Sequence, residues 1–357
     1  MGAGSDGLLR LAGPLDVPGS LEVYRRSGDD LLDRWDGAVW LRALPLDGRP
    51  VAVAARPVGT VSAPALLVAT GGGAGAAAAG RALAGVFVTA PAALRELAAA
   101  DPVVAAAADR WPGVGPVLQR DLLTAVVRSI SAQQITLRFA AVLRARLARR
   151  FGVRHTVAVP AVDAVPEGSG EPQGGAPVGR EGSGEPEGGA PVDREVWSLD
   201  AGALAGAEVA ELRALQFSNA KAVAIVAFAG AVAAGRVRLE ELAALGDEQV
   251  VERLVAFPGI GRWTAEWLLA RTLGRPRVVA GDLGVRKAVG AAYLGGRMPS
   301  ATEVRAATAH WGAAAGVAQQ LLLHAFAAGG APLPAGPRPG QRGRHAEADQ
   351  HPAGDQA

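Results

Sequence analysis

The feature that most constrains this chain is a sharp turn between two predicted helices, the Phe-Pro-Gly-Ile-Gly sequence at 257–261. Residues 249–256 before it repeat apolar side chains at helical spacing. Pro258 prevents a simple continuation of that helix, and Gly259 and Gly261 supply the backbone freedom that a sharp turn needs. A second predicted helix follows, and its first N–H groups point outward. The turn therefore predicts a phosphate cradle, although an ordinary helical corner has the same local pattern.

This stretch resembles the helix–hairpin–helix signature of the DNA glycosylases of base excision repair. The matching residues are the turn and helix start at 257–265, the Gly-Arg-Pro segment at 274–276 and Asp282. Asp282 lies 21 residues after Gly261, the spacing at which this superfamily carries its catalytic carboxylate. The most similar type is the alkylation-repair type, the 3-methyladenine DNA glycosylase II enzymes. The resemblance covers roughly residues 90–326.

A strand-rich region precedes this core. Strand patterns at 39–44 and 50–54 flank Asp47-Gly48, a pair that favours a hairpin because both turn positions need a positive φ. Residues 65–70 form a third candidate strand. We therefore predict a small antiparallel α/β domain over residues 21–88.

Three segments are expected to lack a packed core. Residues 1–20 are rich in Gly and Pro and are predicted to be loose. Residues 166–195 contain a tandem duplication, EGSGEPQGGAPVGR and EGSGEPEGGAPVDR, with too little apolar surface to offset its ordering entropy. They are predicted to be a disordered insertion in the glycosylase core, which spans 89–328. Residues 329–357 are predicted to be a disordered tail.

Helical patterns fill the rest of the core, and Ser218 is a predicted N-cap. The predicted helices are 90–110, 119–131, 134–151, 219–234, 239–245, 247–256, 283–294, 300–308 and 311–327. The predicted fold class is therefore mainly α. The resemblance implies a two-lobed helix–hairpin–helix glycosylase core after the small antiparallel α/β domain.

Composition excludes several classes of site. The chain has no cysteine, which rules out disulfides, thiolate metal sites and the four-cysteine iron–sulfur cluster of some glycosylases. No apolar run is long enough to span a bilayer, and we expect a cytoplasmic, nucleoid-associated monomer without a membrane partner. The net charge of +2 is nearly neutral. Arginines nevertheless cluster at positions 128, 138, 144, 146, 149, 150 and 154, which suits either a phosphate backbone or a solvated helix face.

Asp282 is the predicted catalytic residue. The sugar gains oxocarbenium character as a glycosidic C–N bond breaks, and a nearby carboxylate stabilises that positive charge and can orient water. An alkylated purine is already cationic and leaves readily, so one carboxylate is sufficient. Asp282 could instead only cap the helix that follows it. The two interpretations are compatible, because a helix N-terminus favours the ionised carboxylate.

Aromatic residues are the predicted walls of a base pocket. The resemblance places Trp263 where strand-cleaving members have a lysine, and an indole cannot form the Schiff base that strand cleavage needs. Trp263 and Trp267 lie four residues apart on one predicted helix and could stack on a methylated base, or could simply belong to the core. The resemblance matches Trp267 to a pocket tyrosine, and Phe326 to a pocket tryptophan.

The resemblance also implies a set of DNA contacts. In the alkylation-repair enzymes the loop that matches residues 131–136 enters the minor groove and fills the gap left by the extruded base. Gln134 would be the wedge and Gln133 a pocket or gap contact, although both could merely cap a helix start. The remaining implied DNA-binding residues are Gly259, Ile260, Gly261, Arg262, Thr264 and Arg286. A monovalent cation, Na or K, could bind the hairpin carbonyls of Val255, Phe257 and Ile260.

The resemblance therefore implies a monofunctional DNA glycosylase without AP lyase activity. It would excise 3-methyladenine and 7-methylguanine from damaged duplex DNA by base flipping and N-glycosidic hydrolysis, with no required cofactor. One alternative is a monofunctional glycosylase for oxidised or deaminated bases. Another is a non-catalytic DNA-damage binding protein. Asp282 argues against the latter, whereas the alanines at 313–315, where family members carry aromatic and arginine residues, leave it open.

Overall fold

The computed structural model describes residues 7–71, 75–160, 192–329 and 333–334. Most of the predicted insertion at 166–195 and of the predicted tail at 329–357 lies outside these described residues. The strands are β1 (Gly7–Arg10), β2 (Asp33–Trp35), β3 (Trp40–Leu46), β4 (Arg49–Gly59), β5 (Pro64–Thr70), β6 (Gly152–Ala158) and β7 (Asp193–Leu199). The first eight helices are α1 (Val17–Ser27), α2 (Ala76–Ala84), α3 (Pro91–Ala100), α4 (Pro102–Arg110), α5 (Leu122–Ala132), α6 (Leu137–Phe151), α7 (Ala201–Ala205) and α8 (Val209–Ala214). They are followed by α9 (Asn219–Ala233), α10 (Leu239–Ala243), α11 (Asp247–Val255), α12 (Arg262–Arg271), α13 (Leu283–Tyr293), α14 (Ala301–Thr308) and α15 (Ala315–Ala328).

The chain folds into two compact units. The first contains residues 1–89 and 112–275, and the second contains residues 90–111 and 276–357. No helix within the described ranges is both long enough and apolar enough to cross a membrane.

An antiparallel five-stranded sheet in the order β1-β5-β4-β3-β2 opens the first unit. The predicted hairpin is confirmed: Asp47 and Gly48 have φ values of +48° and +74°, and Leu46 pairs with Arg49 beside them. The prediction of a loose segment at 1–20 is wrong for its described part. There β1 pairs with β5 and α1 begins at Val17, because the four-residue strand Gly-Leu-Leu-Arg finds a partner strand far along the chain.

Both faces of the sheet are covered. Alternation of side chains along β4 places Val53 and Ala55 in one core with α1 and α2, and Ala52 and Ala54 in a second core. The second core is closed by β6 and β7, which pair with each other. The prediction that the insertion extends to residue 195 is therefore wrong at its end, since β7 begins at Asp193.

The remaining helices of the first unit share one apolar core. They carry the hairpin-forming pair α11 and α12, and α9 lies centrally among them. Ser218 caps α9 as predicted, because its hydroxyl accepts a hydrogen bond from the Lys221 N–H at 3.4 Å. Small residues of α9, including Ala222, Ala224 and Ala229, are fully buried and allow close packing.

The second unit is helical. The single helix predicted at 90–110 is divided into α3 and α4 at Asp101, whose carboxylate caps α4 by accepting from the Val103 and Val104 N–H groups at 3.0 and 3.3 Å. Pro102, which lacks an N–H, prevents a continuous helix. The predicted terminal helix also differs: a 3₁₀ segment, Ala309–Ala314, precedes α15, and Gly312 interrupts it with a φ of +46°.

Candidate DNA-binding and catalytic residues

The predicted helix–hairpin–helix lies in the first unit and consists of α11, a six-residue connection and α12. Gly259 has a φ of +74°, and a Cβ at that position would lie 2.6 Å from the Cβ of Ala224. This position therefore requires glycine for two reasons, the backbone conformation and the lack of space. Ile260 is 3% exposed and packs into the helical core, so it anchors the turn from within.

The start of α12 leaves its backbone donors available. Gly261, the residue before the helix, makes no side-chain cap hydrogen bond, and it is exposed. The first N–H groups of a helix have no partner within the helix, so this end can bind an anion. Arg262 is also exposed but forms ion pairs with Glu248 at 2.8 Å and Glu266 at 3.3 Å. Both side chains of the Arg262–Glu248 pair are exposed, so the pair contributes little to stability and a phosphate could replace Glu248.

The loop at 131–136 is held against the hairpin through a side chain. Gln133 Nε2 donates to the carbonyl of Gly259 at 3.2 Å and to Thr264 Oγ1 at 3.4 Å. Thr264 is 1% exposed, so its hydroxyl supports this contact from inside the protein. Gln134, the next residue, is exposed and has a φ of +58°, which is uncommon for a residue other than glycine. The structure thus brings Gln133, Gly259 and Thr264 together.

Two tryptophans of α12 have different surroundings. Trp267 is partly buried and packs against the helical core of the first unit, as a plain core residue would. Trp263 is also partly buried, and its Nε1 is buried without a hydrogen-bond partner among the described residues. A role for either ring in a base pocket stays a prediction.

The hairpin carbonyls are oxygen donors of the kind that alkali cations take. The carbonyl of Phe257 already accepts from the Ile260 N–H at 3.2 Å, and a carbonyl oxygen keeps a second lone pair. A cation on the carbonyls of Val255, Phe257 and Ile260 fits this donor set and stays a prediction. In the described ranges, no group of three or more His, Asp or Glu side chains could hold a metal ion.

Asp282 lies in the second unit, at the start of α13. Its Oδ1 accepts from the Val285 N–H at 2.9 Å, so it caps the helix. Its other carboxylate oxygen has no hydrogen-bond partner among the described residues, and the side chain is half-buried. In the structure Asp282 therefore caps α13, and its second carboxylate oxygen could still take part in catalysis.

A buried glutamine fixes the turn that leads to Asp282. Gln319, on α15, is 3% exposed, and its Oε1 accepts from the Val279 N–H at 2.7 Å. The carbonyl of Val279 accepts in turn from the Asp282 N–H at 2.9 Å. Our reading of the sequence missed Gln319, although a pair of glutamines inside an otherwise apolar helix was an available signal.

Two other predicted site residues lie in the second unit, and their contacts do not indicate a role in DNA binding or in a base pocket. Arg286 is half-buried, and its Nε donates to the carbonyl of Pro299 at 2.7 Å. Phe326 is 49% exposed near the end of α15. Their roles in DNA contact and in the base pocket stay predictions.

Two arginines of the predicted cluster, one on α5 and one on α6, form ion pairs with interior acids. Arg128 pairs with Asp30 and Asp33 at 2.8 Å each, and Arg144 pairs with Asp30 at 2.8 Å. Burial alone would raise the pKa of Asp30, but Arg128 and Arg144 lower it below its ordinary value. The phosphate interpretation is therefore wrong for these two arginines, because the chain after α1 supplies buried acids to them. Three more are paired at the surface: Arg146 with Gln216, Arg150 with Glu211 and Arg154 with Glu195.

Comparison with curated proteins finds relatives that match part of this chain. Bacillus subtilis YfjP, provisionally named a DNA-3-methyladenine glycosylase, is 36% identical over 80 residues. The matched segment is 22% of this chain and 28% of that protein, so the chain matches less than a third of this curated relative. No protein-family model matches the chain.

Several solved structures match nearly the whole chain. The 3-methyladenine DNA glycosylase from Archaeoglobus fulgidus has a TM-score of 0.68 and 25% identity, covering 90% of this chain and 97% of that one. The Clostridium acetobutylicum 8-oxoguanine glycosylase/lyase, in complex with double-stranded DNA, has a TM-score of 0.61 and 13% identity, covering 92% and 98%. This second likeness concerns the fold alone. The predicted fold class and the resemblance to helix–hairpin–helix glycosylases are confirmed.

Proposed function

We propose that this chain, which has the helix–hairpin–helix glycosylase fold, is a monofunctional DNA glycosylase that excises alkylated bases from duplex DNA. The observation that carries the proposal is Asp282, a half-buried carboxylate at a helix start with one oxygen unpaired among the described residues. It occurs in a chain that is 25% identical to a 3-methyladenine glycosylase across nearly all of that protein. The substrates proposed are 3-methyladenine and 7-methylguanine.

Asp282 would act on the sugar from which the base departs. The C1′–N bond breaks and its electrons leave with the base, so positive charge develops on the sugar ring. The available carboxylate oxygen would stabilise that charge, while the bond from the Val285 N–H holds the group in place. Water would then add to C1′, and its proton would pass to Asp282 or to solvent. The products are a free base and an intact strand with an abasic site.

DNA would be bound through its backbone. The uncapped start of α12 offers N–H donors to a phosphate, and such contacts position a duplex without reading its sequence. The damaged nucleotide would be flipped out of the stack, and exposed Gln134 would occupy the resulting gap. A polar wedge of this kind can also form hydrogen bonds with the orphaned base.

The proposal that this protein does not cleave the DNA strand rests on the positions of its lysines. Trp263 stands where strand-cleaving relatives have a lysine, and an indole cannot form an imine with the sugar. The sequence contains only two lysines, Lys221 and Lys287. Lys221 Nζ donates to the carbonyls of Ser131 and Gln133 at 3.0 and 2.7 Å, so both contacts would have to break before it could attack a sugar carbon.

A panel of single-lesion duplexes tests the proposal. Purified protein is incubated with duplexes that contain 3-methyladenine, 7-methylguanine, 8-oxoguanine or uracil, and the strands are separated with and without hot alkali. We expect release of the methylated purines, strand breaks only after alkali, and no adduct trapped by borohydride. Release of only 8-oxoguanine or uracil would favour the second enzyme hypothesis. Damage-specific binding without release from any duplex would favour a binding protein.

A further inference from the structure

Lys221 joins two parts of the first unit that are far apart in sequence, helix α9 and the loop at the end of α5. It lies in the first turn of α9, and its Nζ donates to the carbonyls of Ser131 and Gln133 at 3.0 and 2.7 Å. These carbonyls belong to the C-terminal end of α5, where unpaired carbonyls and the helix dipole favour a cation. No carboxylate pairs with Lys221 in the described part of the chain. Among the described residues, its ammonium group therefore contacts this loop alone.

The loop is fixed from its other side by the hairpin. The Gln133 side chain donates to the Gly259 carbonyl at 3.2 Å, while the Gln133 carbonyl accepts from Lys221. Helix α9 also supports the hairpin directly, since Ala224 leaves no room for a Cβ on Gly259. One helix thus holds both the loop and the hairpin in register.

Gln134 needs this support because of its backbone. A φ of +58° is unfavourable for a residue with a side chain, and such conformations persist only where surrounding contacts determine them. The contacts immediately before Gln134 are those made by Lys221 and by the Gln133 side chain. The exposed Gln134 side chain makes no hydrogen bond among the described residues.

We infer that Lys221 is a positioning residue that holds Gln134 in its left-handed conformation at a set place relative to the hairpin. A duplex held at its phosphates by the hairpin would then meet a wedge that is already formed. This inference rests on the proposed function for its role in base release. The preorganised loop itself is a property of the free protein.

The first test measures the loop without DNA. Amide hydrogen exchange is followed in the 131–136 segment of the wild type, of Lys221→Met and of Arg236→Met. Arg236 is an exposed cation just beyond the other end of α9, so its variant controls for loss of one positive charge. We expect exchange in Lys221→Met to be faster by about tenfold or more, the scale for losing hydrogen bonds to a charged group. Lys221→Arg, which can still donate to both carbonyls, should restore most of the protection.

The second test measures base release in single-turnover reactions, with affinity for undamaged duplex measured alongside. We expect Lys221→Met to slow release about tenfold or more relative to Arg236→Met, with affinities for undamaged duplex within about twofold of each other. In a Gln134→Gly background, where a positive φ costs little, the effect of Lys221→Met on release should largely disappear.

Each outcome bears on one claim. Unchanged exchange at 131–136 in Lys221→Met would overturn the inference, as would a folded Lys221→Met protein whose release is slowed equally in the wild-type and the Gln134→Gly backgrounds. Wild-type protein that releases no base from any lesion would refute the proposed function, while the exchange result would still decide the role of Lys221. A large fall in melting temperature shared by Lys221→Met and Lys221→Arg would indicate a merely structural lysine and would also overturn the inference.

Discussion

Replacing Gly259 by alanine tests the hairpin geometry most sharply. The new methyl group would lie 2.6 Å from the Cβ of Ala224, which is buried in α9, and the φ of +74° would belong to a residue with a side chain. Neither problem can be relieved by a change of rotamer, because a methyl group has none and Ala224 lies in the helical core. The turn or the helix must move.

The expected loss of stability combines two terms. A left-handed conformation costs a residue other than glycine about 1–2 kcal/mol. Overpacking of a tight site by one methyl group costs about 1–3 kcal/mol. Together they predict a loss of about 2–5 kcal/mol, which for a unit of this size corresponds to a melting temperature lower by about 4–20 °C.

The matched control is Gly261→Ala, at the other glycine of the turn. Gly261 has a φ of −86°, and nothing lies within 4 Å of the Cβ that alanine would add. The weaker helix cap of alanine and its lower unfolded-state entropy act in opposite directions, so the change should stay within about 1 kcal/mol. Urea denaturation of both variants, followed by circular dichroism, gives the comparison.

A compensating variant identifies the cause. Ala224→Gly removes the opposing methyl group, so the double variant Gly259→Ala with Ala224→Gly should regain the overpacking part of the loss and retain the backbone part. A Gly259→Ala protein as stable as Gly261→Ala would refute the reasoning. So would a double variant whose two effects simply add.

Three further predictions concern other sites. Gly261→Leu should weaken duplex binding about equally for different DNA sequences in a fluorescence titration, since backbone donors carry no base information; altered sequence discrimination at constant affinity would contradict this. Asp30→Asn should cost about 3–5 kcal/mol in urea unfolding, since it leaves the Arg144 guanidinium buried without its acid. Because the folded-state pKa of Asp30 lies below its ordinary 3.8, this difference should be complete above that value and decline as pH falls through the lower pKa; a difference that is lost near neutral pH would exclude the pairing. Gln319→Leu, which leaves the buried Val279 N–H unpaired, should destabilise the protein by about 1–3 kcal/mol and slow single-turnover base release, whereas an unchanged release rate would show that the turn does not depend on Gln319.

Local chemistry made part of the fold predictable. Asp47-Gly48 predicts a two-residue hairpin because both positions tolerate a positive φ, and the structure has both there. Ser218 predicts a helix start for a similarly local reason. The helix–hairpin–helix is recognisable because the turn needs glycine at a fixed place, Gly259, regardless of what surrounds it.

Long-range pairing made other parts unpredictable. Arg128 and Arg144 belong to a cluster of arginines that suits a solvated or DNA-binding surface, and only the folded chain shows that Asp30 and Asp33 neutralise them in the interior. Strand β1 has only four residues, and its partner lies more than fifty residues away. Patterns of period 2 or 3.6 hold no information about such partners.

For the same reason, some residues of the candidate site could be predicted from the sequence and others could not. Asp282 follows from its spacing in a recognisable motif, and its capping bond follows from its position before a helix. The supports of the site, Lys221 and Gln319, act on backbone groups far away in sequence. An isolated lysine in a helix has no local signature of such a role, and the pair Gln319-Gln320 in an apolar helix indicates a buried polar contact without identifying its partner.

The measurement that tests the central claim most directly is single-turnover release of 3-methyladenine by Asp282→Asn. Asparagine keeps the shape of the side chain and an oxygen that can cap α13, but it removes the charge. Folding and affinity for damaged duplex should therefore be preserved, while base release falls by about two to three orders of magnitude, the scale for losing one preorganised electrostatic partner. Full release activity in a folded Asp282→Asn protein would contradict the account.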